Sequence, residues 1–166
     1  MQMDRVLPDI SINQQLAWDF ALAKYKRSEI AKGCLQLQDE FACNVNLVLF
    51  FDYLGSLAVT LLEQDLTLII AAIAESELTL KKHREVRRKT KTESPELYSE
   101  LLAEELSLER EQHKLIVSTA NTLKLLPVNQ NQNILVLYLK CRSLNNKQIA
   151  EFCDILAASE KLEIKA

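Results

Sequence analysis

The chain has 166 residues, 48% of them hydrophobic and 26% charged, which suits one domain with a sizeable core and excludes a disordered tail. Two glycines and three prolines are too few for the many tight turns of a β-sandwich or barrel. The net charge of −3 argues against bulk affinity for nucleic acid. The expected fold is therefore all-α: a single compact bundle of about six or seven helices spanning the chain, with loose ends at 1–10 and 159–166.

In chain order, Pro8 and Asp9 close an N-terminal arm, and a first helix is expected from about Ser11 to Lys24, with Leu16, Phe20 and Ala23 on one face. Ser28 is the expected N-cap of a second helix, in which Ile30, Cys34, Leu37 and Phe41 keep helical spacing. Asn44 caps a third, Val45 to about Leu54, which is apolar nearly all round and so belongs at the centre of the bundle. Gly55-Ser56 ends or kinks it, and Leu57–Gln64 has no clear periodicity. Asp65 is placed as the cap of a fourth helix that begins in the core as LTLIIAAIA and runs out, basic, to Lys91. Ser94, Pro95 and Glu96 form a helix start: an N-cap, a first position that needs no N–H, and an acid at the positive end of the dipole. The fifth helix runs to about Lys124 with Leu101, Leu108 and Leu115 as its packed stripe. Residues 129–133 are a polar tract read as a loop. A sixth helix covers Ile134–Arg142, and a seventh, capped at Asn145 or Asn146, buries Ile149, Phe152, Cys153 and Leu156.

Chemistry-bearing patterns are sparse. Gly33 and Gly55 are too far apart for a phosphate-cradling loop, and no G-x-S-x-G or C-x-x-C occurs. No catalytic residue, metal ligand set or cofactor motif stands out. His83 and His113 lie far in sequence from Cys34, Cys43, Cys141 and Cys153, and Glu109 with His113 at i, i+4 is one pair, not a metal site. Cys34, Cys141 and Cys153 fall on apolar stripes and read as core residues; Cys43, at a helix junction, is the one expected to be exposed. Val45–Leu62 is interrupted by Asn46, Asp52 and Gly55, so it reads as core rather than a membrane span. The N-terminus has no apolar export segment, and free scattered cysteines fit a reducing cytoplasm.

Two features remain. Lys81–Lys91 holds seven Lys or Arg and one Glu, and Thr92–Glu111 holds seven acids and one Arg, giving +6 beside −6 across the Ser94-Pro95 turn. The two runs either pair within a hairpin or leave Lys81, Arg84, Arg87, Arg88 and Lys91 as a basic grip for an acidic partner. That partner is expected to be another protein with an acidic surface. Nucleic acid is disfavoured because no aromatic residue interleaves with the run, and self-association stays open. The second feature is Asn46 and Asp52 within an apolar helix. They either clamp neighbouring backbone or, with Trp18, line a pocket for a small molecule, with an arginine meeting an anionic ligand. An interaction or regulatory role is the first reading, and a ligand-binding or enzymatic bundle the alternative.

The segments Trp18-Asp19-Phe20-Ala21-Leu22, Cys34-Leu35-Gln36-Leu37-Gln38-Asp39 and Val45-Asn46-Leu47-Val48-Leu49-Phe50 resemble a small proteobacterial family known as a domain of unknown function. The likeness continues through Arg84, Arg87, Arg88 and Glu100-Leu101-Leu102-Ala103-Glu104, to about Leu106. It implies a bacterial, cytoplasmic, helical protein and carries no activity. The family pattern has a tryptophan ahead of the arginine cluster, whereas this chain has only Trp18.

Overall fold

A computed structural model describes the backbone of residues 9–128 and 133–164 and the side chains as far as residue 158. Eight helices and one two-stranded sheet make up the described residues: α1 (Gln14–Tyr25), α2 (Ser28–Phe41), α3 (Val45–Ser56), β1 (Val59–Leu61), α4 (Glu63–Ala72), α5 (Ala74–Thr90), α6 (Pro95–Thr122), β2 (Leu125–Pro127), α7 (Ile134–Cys141) and α8 (Asn146–Ile164). No described helix is long and apolar enough to cross a membrane.

Helix α3 is central, as its all-round apolarity requires. Leu47, Val48, Leu49, Phe50, Phe51 and Leu54 are all buried, and burial of each large side chain contributes about 1.5–3 kcal/mol. Asn44 caps it by accepting from the Leu47 N–H at 2.9 Å, while its own N–H donates to the Tyr138 hydroxyl at 2.8 Å. One residue therefore anchors α3 to α7. Ser94 caps α6, with Pro95 in the first turn, and Asn133 caps α7. At α8, Asn145 and Gln148 cap reciprocally, each side chain accepting from the other's backbone N–H at 2.9 Å.

Several expectations are corrected. The helix count is eight because 65–91 is two helices: the chain breaks at Ile73 (φ −102°, ψ 2°). Ile73 is buried, and its carbonyl accepts from the Ser76 hydroxyl at 2.9 Å and the Glu77 N–H at 2.9 Å, so the corner is held rather than frayed. Asp65 is in the first turn of α4, not its cap, which is Leu62; Arg27, not Ser28, occupies the cap of α2. The unassigned stretch after Gly55 contains β1, which pairs antiparallel with β2 in the register Val59↔Pro127, Thr60↔Leu126 and Leu61↔Leu125. Strands of three residues are too short for alternation to show. Ala42 (φ 53°) and Ala58 (φ 54°) take the left-handed conformation glycine would ordinarily supply.

The packed faces of two helices also differ from expectation. On α1, Leu16 is exposed, and Ala17, Trp18, Ala21 and Lys24 are buried. Lys24 is tolerated inside because Nζ donates to the Leu156 carbonyl at 3.1 Å and pairs with Asp52 at 3.5 Å. On α6, Leu115 is exposed, and the buried stripe is Glu105, Gln112, His113, Ile116, Val117 and Ala120. That stripe is polar over half its length because α6 meets charged side chains of α5. Cys43 is buried at 2% exposure and Cys141 is exposed, the reverse of expectation: Cys43 turns inward where its N–H bonds the Leu37 carbonyl, and Cys141 ends α7 on its outer face. The backbone of α8 continues to Ile164; the expected loose ends otherwise fall largely on residues 1–8 and 165–166, which lie outside the described residues, as does most of the polar tract, 129–132.

Candidate functional site

Helices α5 and α6 form the expected antiparallel hairpin, and its inner surface is a polar network. Gln112 is the hub. Its carbonyl oxygen accepts from Asn44 Nδ2 at 2.9 Å and Asn46 Nδ2 at 3.0 Å; its amide nitrogen donates to the Ser76 hydroxyl at 2.9 Å and to Glu77 Oε2 at 3.3 Å. Asn44 Nδ2 also donates to Glu77 Oε2. Asn46 Nδ2 donates further to the Glu109 carbonyl at 3.0 Å. The N-cap asparagine of α3 and a second in its first turn thus hold both helices of the hairpin against α3.

One turn further along, the cations are enclosed by acids. Arg84 places Nη1 at 3.8 Å from Glu77, Nε at 3.6 Å from Glu105 and Nη2 at 3.6 Å from Glu109. Arg87 Nε donates to Glu105 Oε2, and its Nη2 donates to Oε1 at 3.3 Å, a two-pronged pairing that suits a guanidinium. The Arg87 guanidinium also lies over the Tyr98 ring, 5.9 Å from its centre. His83 faces Glu104 at 3.3 Å. The side chains of Arg84, Arg87 and Glu105 are 12%, 17% and 10% exposed, so these pairs are shielded from the screening that weakens surface pairs.

The basic run is therefore split. Arg84 and Arg87 pair inside the hairpin, whereas Lys81, Arg88 and Lys91 lie on its exposed side, with Arg88 3.8 Å from Asp39 of α2. Position round the helix accounts for part of the split: 84 and 87 flank the line toward α6, 81 and 88 lie to one side of it, and Lys91 is exposed because it follows the last turn of α5.

Beside the Arg84 cluster, α1, α2, α3, α5 and α6 surround a partly open cavity of ≈ 130 Å³. Trp18 and Tyr25 of α1, Gln38 of α2, Asn46 of α3, Arg84 of α5 and Glu109 of α6 supply its aromatic and polar groups, and Leu49 and Leu106 are part of its apolar wall. The indole is edge-on to the buried His113 ring at 5.2 Å. Burial holds the Glu109 carboxyl above its ordinary pKa; Arg84 pulls it down and Glu105 pushes it up, both by less. Burial also raises the Tyr25 phenol.

Of the three residues expected to share a pocket, Trp18 and Asn46 do and Asp52 does not line it. Asp52 is six residues beyond Asn46, about 120° round the helix, and meets Lys24 instead. Sequence reasoning missed Gln112, Ser76, Glu77, Tyr25 and Gln38 as parts of one site. A signal existed for Gln112: Ala120, Ile116 and Gln112 step back along α6 by four, so the apolar stripe ends on an amide that must find partners. Among the described residues, no group of three or more His, Cys, Asp or Glu side chains is arranged to hold a metal ion.

No curated protein matches the chain, and no solved structure does. One family model matches residues 16–116, a span that contains every residue lining the cavity and the network beside it, and the chain belongs to that family, a protein of unknown function (DUF2390).

Proposed function

We propose that the chain is a binding protein whose site is the cavity between α1, α2, α3, α5 and α6. The observation that carries this reading is the cavity's composition: an indole, a phenol and aliphatic side chains together with Gln38, Asn46, Arg84 and Glu109. Small-molecule sites have this makeup, apolar surface with a few oriented polar groups on rigid helices. The site suits one small organic body, since a cavity of about 150 Å³ holds a benzene molecule.

Trp18 is the chain's only tryptophan and lines the cavity, so its fluorescence reports occupancy directly. A fragment screen read by Trp18 emission and by melting temperature tests the proposal. Genuine occupants perturb the emission and raise the melting temperature, and both effects are lost in Leu106→Arg, which fills the mouth from an exposed position. Fragments that raise stability equally in Leu106→Arg would place binding elsewhere and refute the reading.

A second reading rests on the exposed cations Lys81, Arg88 and Lys91, which leave a narrower basic strip for an acidic protein surface. Reversing these three to Glu should release such a partner from low-salt pull-downs while leaving the cavity intact. We assign the protein to the cytoplasm, a location that the four free cysteines support.

A further inference from the structure

We propose that the cavity selects an organic cation, a primary ammonium or guanidinium on a small aromatic or aliphatic body, and rejects an anion. The inference rests on the cavity being a binding site and goes on to name its ligand chemistry. It also reverses what the sequence suggests, an arginine waiting for an anionic ligand.

The reason is the charge balance around Arg84. The guanidinium faces three carboxylates, those of Glu77, Glu105 and Glu109, between 3.6 and 3.8 Å away. Arg87 is the second cation of this cluster and is bound to Glu105. Three acids against two arginines leave one negative charge. Adding His83 with its partner Glu104 leaves that sign unchanged whether or not the imidazole is protonated. Arg110 reaches over the Trp18 ring at 6.0 Å, but its Nη2 donates to Gln15 and it pairs with none of these three acids. An incoming anion would therefore meet a cation already surrounded by acids and would add to their repulsion.

Glu109 is where the excess is accessible. It lines the cavity, and its side chain keeps 32% of its exposure. Its Oε1 faces Arg84, while Oε2 accepts no hydrogen bond from a described residue. Burial raises its carboxyl's pKa, and Arg84 offsets part of that rise. Tyr25 and Trp18 line the same cavity and supply aromatic surfaces on which an ammonium or guanidinium rests.

The test uses three probes of one shape and different charge: phenethylammonium, 2-phenylethanol and phenylacetate. Each is titrated into the full chain at pH 7.5, with Trp18 emission excited at 295 nm as the readout. The expected order of affinity is ammonium, then alcohol, then carboxylate. Glu109→Gln should weaken phenethylammonium about tenfold and leave 2-phenylethanol unchanged, because it removes a charge and keeps the side chain's shape. Phenylacetate binding as tightly as phenethylammonium to the wild-type chain would overturn the cation inference while leaving the cavity a binding site. The wild-type order decides this even if Glu109→Gln does not fold. Failure of all three probes to perturb Trp18 at millimolar concentration, by contrast, would count against the binding site itself.

Discussion

Acidification should unfold this protein in part through one residue, His113. Its ring is 1% exposed, edge-on to Trp18 at 5.2 Å and to Phe50 at 6.2 Å, and Nε2 has no hydrogen-bond partner among the described residues. A protonated imidazole there has no acid to meet and little water, so burial lowers its pKa from 6.5 to about 4. The unfolded chain takes up the proton from pH 6.5 downward, whereas the folded chain resists until about pH 4. The stability associated with the neutral ring is therefore fully present above pH 6.5 and is lost as pH falls through that window. With 1.4 kcal/mol per pH unit, the loss amounts to about 2.5 kcal/mol by pH 4.5 and about 3.5 kcal/mol at its limit. That is a large part of the 5–15 kcal/mol typical of a domain. Other groups titrate over the same range. Glu109, with a raised pKa, acts in the opposite direction. The comparison must be with His113→Phe, which keeps an aromatic ring against Trp18 and Phe50 and removes the titration. Urea unfolding followed by circular dichroism at pH 7.5, 6.0 and 4.5 should show the wild-type chain losing about 2.5 kcal/mol more than the variant between the first and last pH. Parallel pH profiles for the two proteins would refute the argument that burial keeps this imidazole neutral.

Other outcomes follow from the same geometry. Gln112→Ala removes the acceptor of Asn44 and Asn46 and the donor to Ser76 and Glu77, and should lower unfolding free energy by about 2–4 kcal/mol in urea titrations. Arg87→Gln leaves the buried Glu105 carboxylate without its two-pronged partner and should cost about 3 kcal/mol, whereas Arg88→Gln, on an exposed pair, should stay within about 0.5 kcal/mol; equal melting temperatures for the two variants would show that the hairpin interior is as well screened as its surface. Burial pushes the Cys34 thiol up to about 12 and the Cys43 thiol up to about 11, so at pH 8 a thiol reagent should label exposed Cys141 promptly and reach Cys34 and Cys43 only on unfolding. Rapid modification of Cys43 in the native protein would contradict its placement inside the α2–α3 corner.

What the sequence by itself determined is local in origin. The helical class follows from composition, the central place of α3 from its all-round apolarity, and the starts of α3 and α6 from Asn44 and Ser94-Pro95, which satisfy backbone N–H groups within three residues. The adjoining +6 and −6 runs likewise foretold a charged hairpin, because a turn lies between them. Tertiary structure decided what depends on partners distant in the chain. The break at Ile73 and the three-residue strands have no period to read, and β1 and β2 exist only by pairing with each other from distant parts of the chain. Lys24 is buried because Asp52 and Leu156 wait for it, which no property of α1 reveals. Above all, whether Arg84 faces solvent or three acids, and whether Asn46 meets Trp18 across a cavity, is set by how five helices pack. A charge has the same sequence signature in either setting, and its chemistry is fixed only by the groups that packing brings within 4 Å of it.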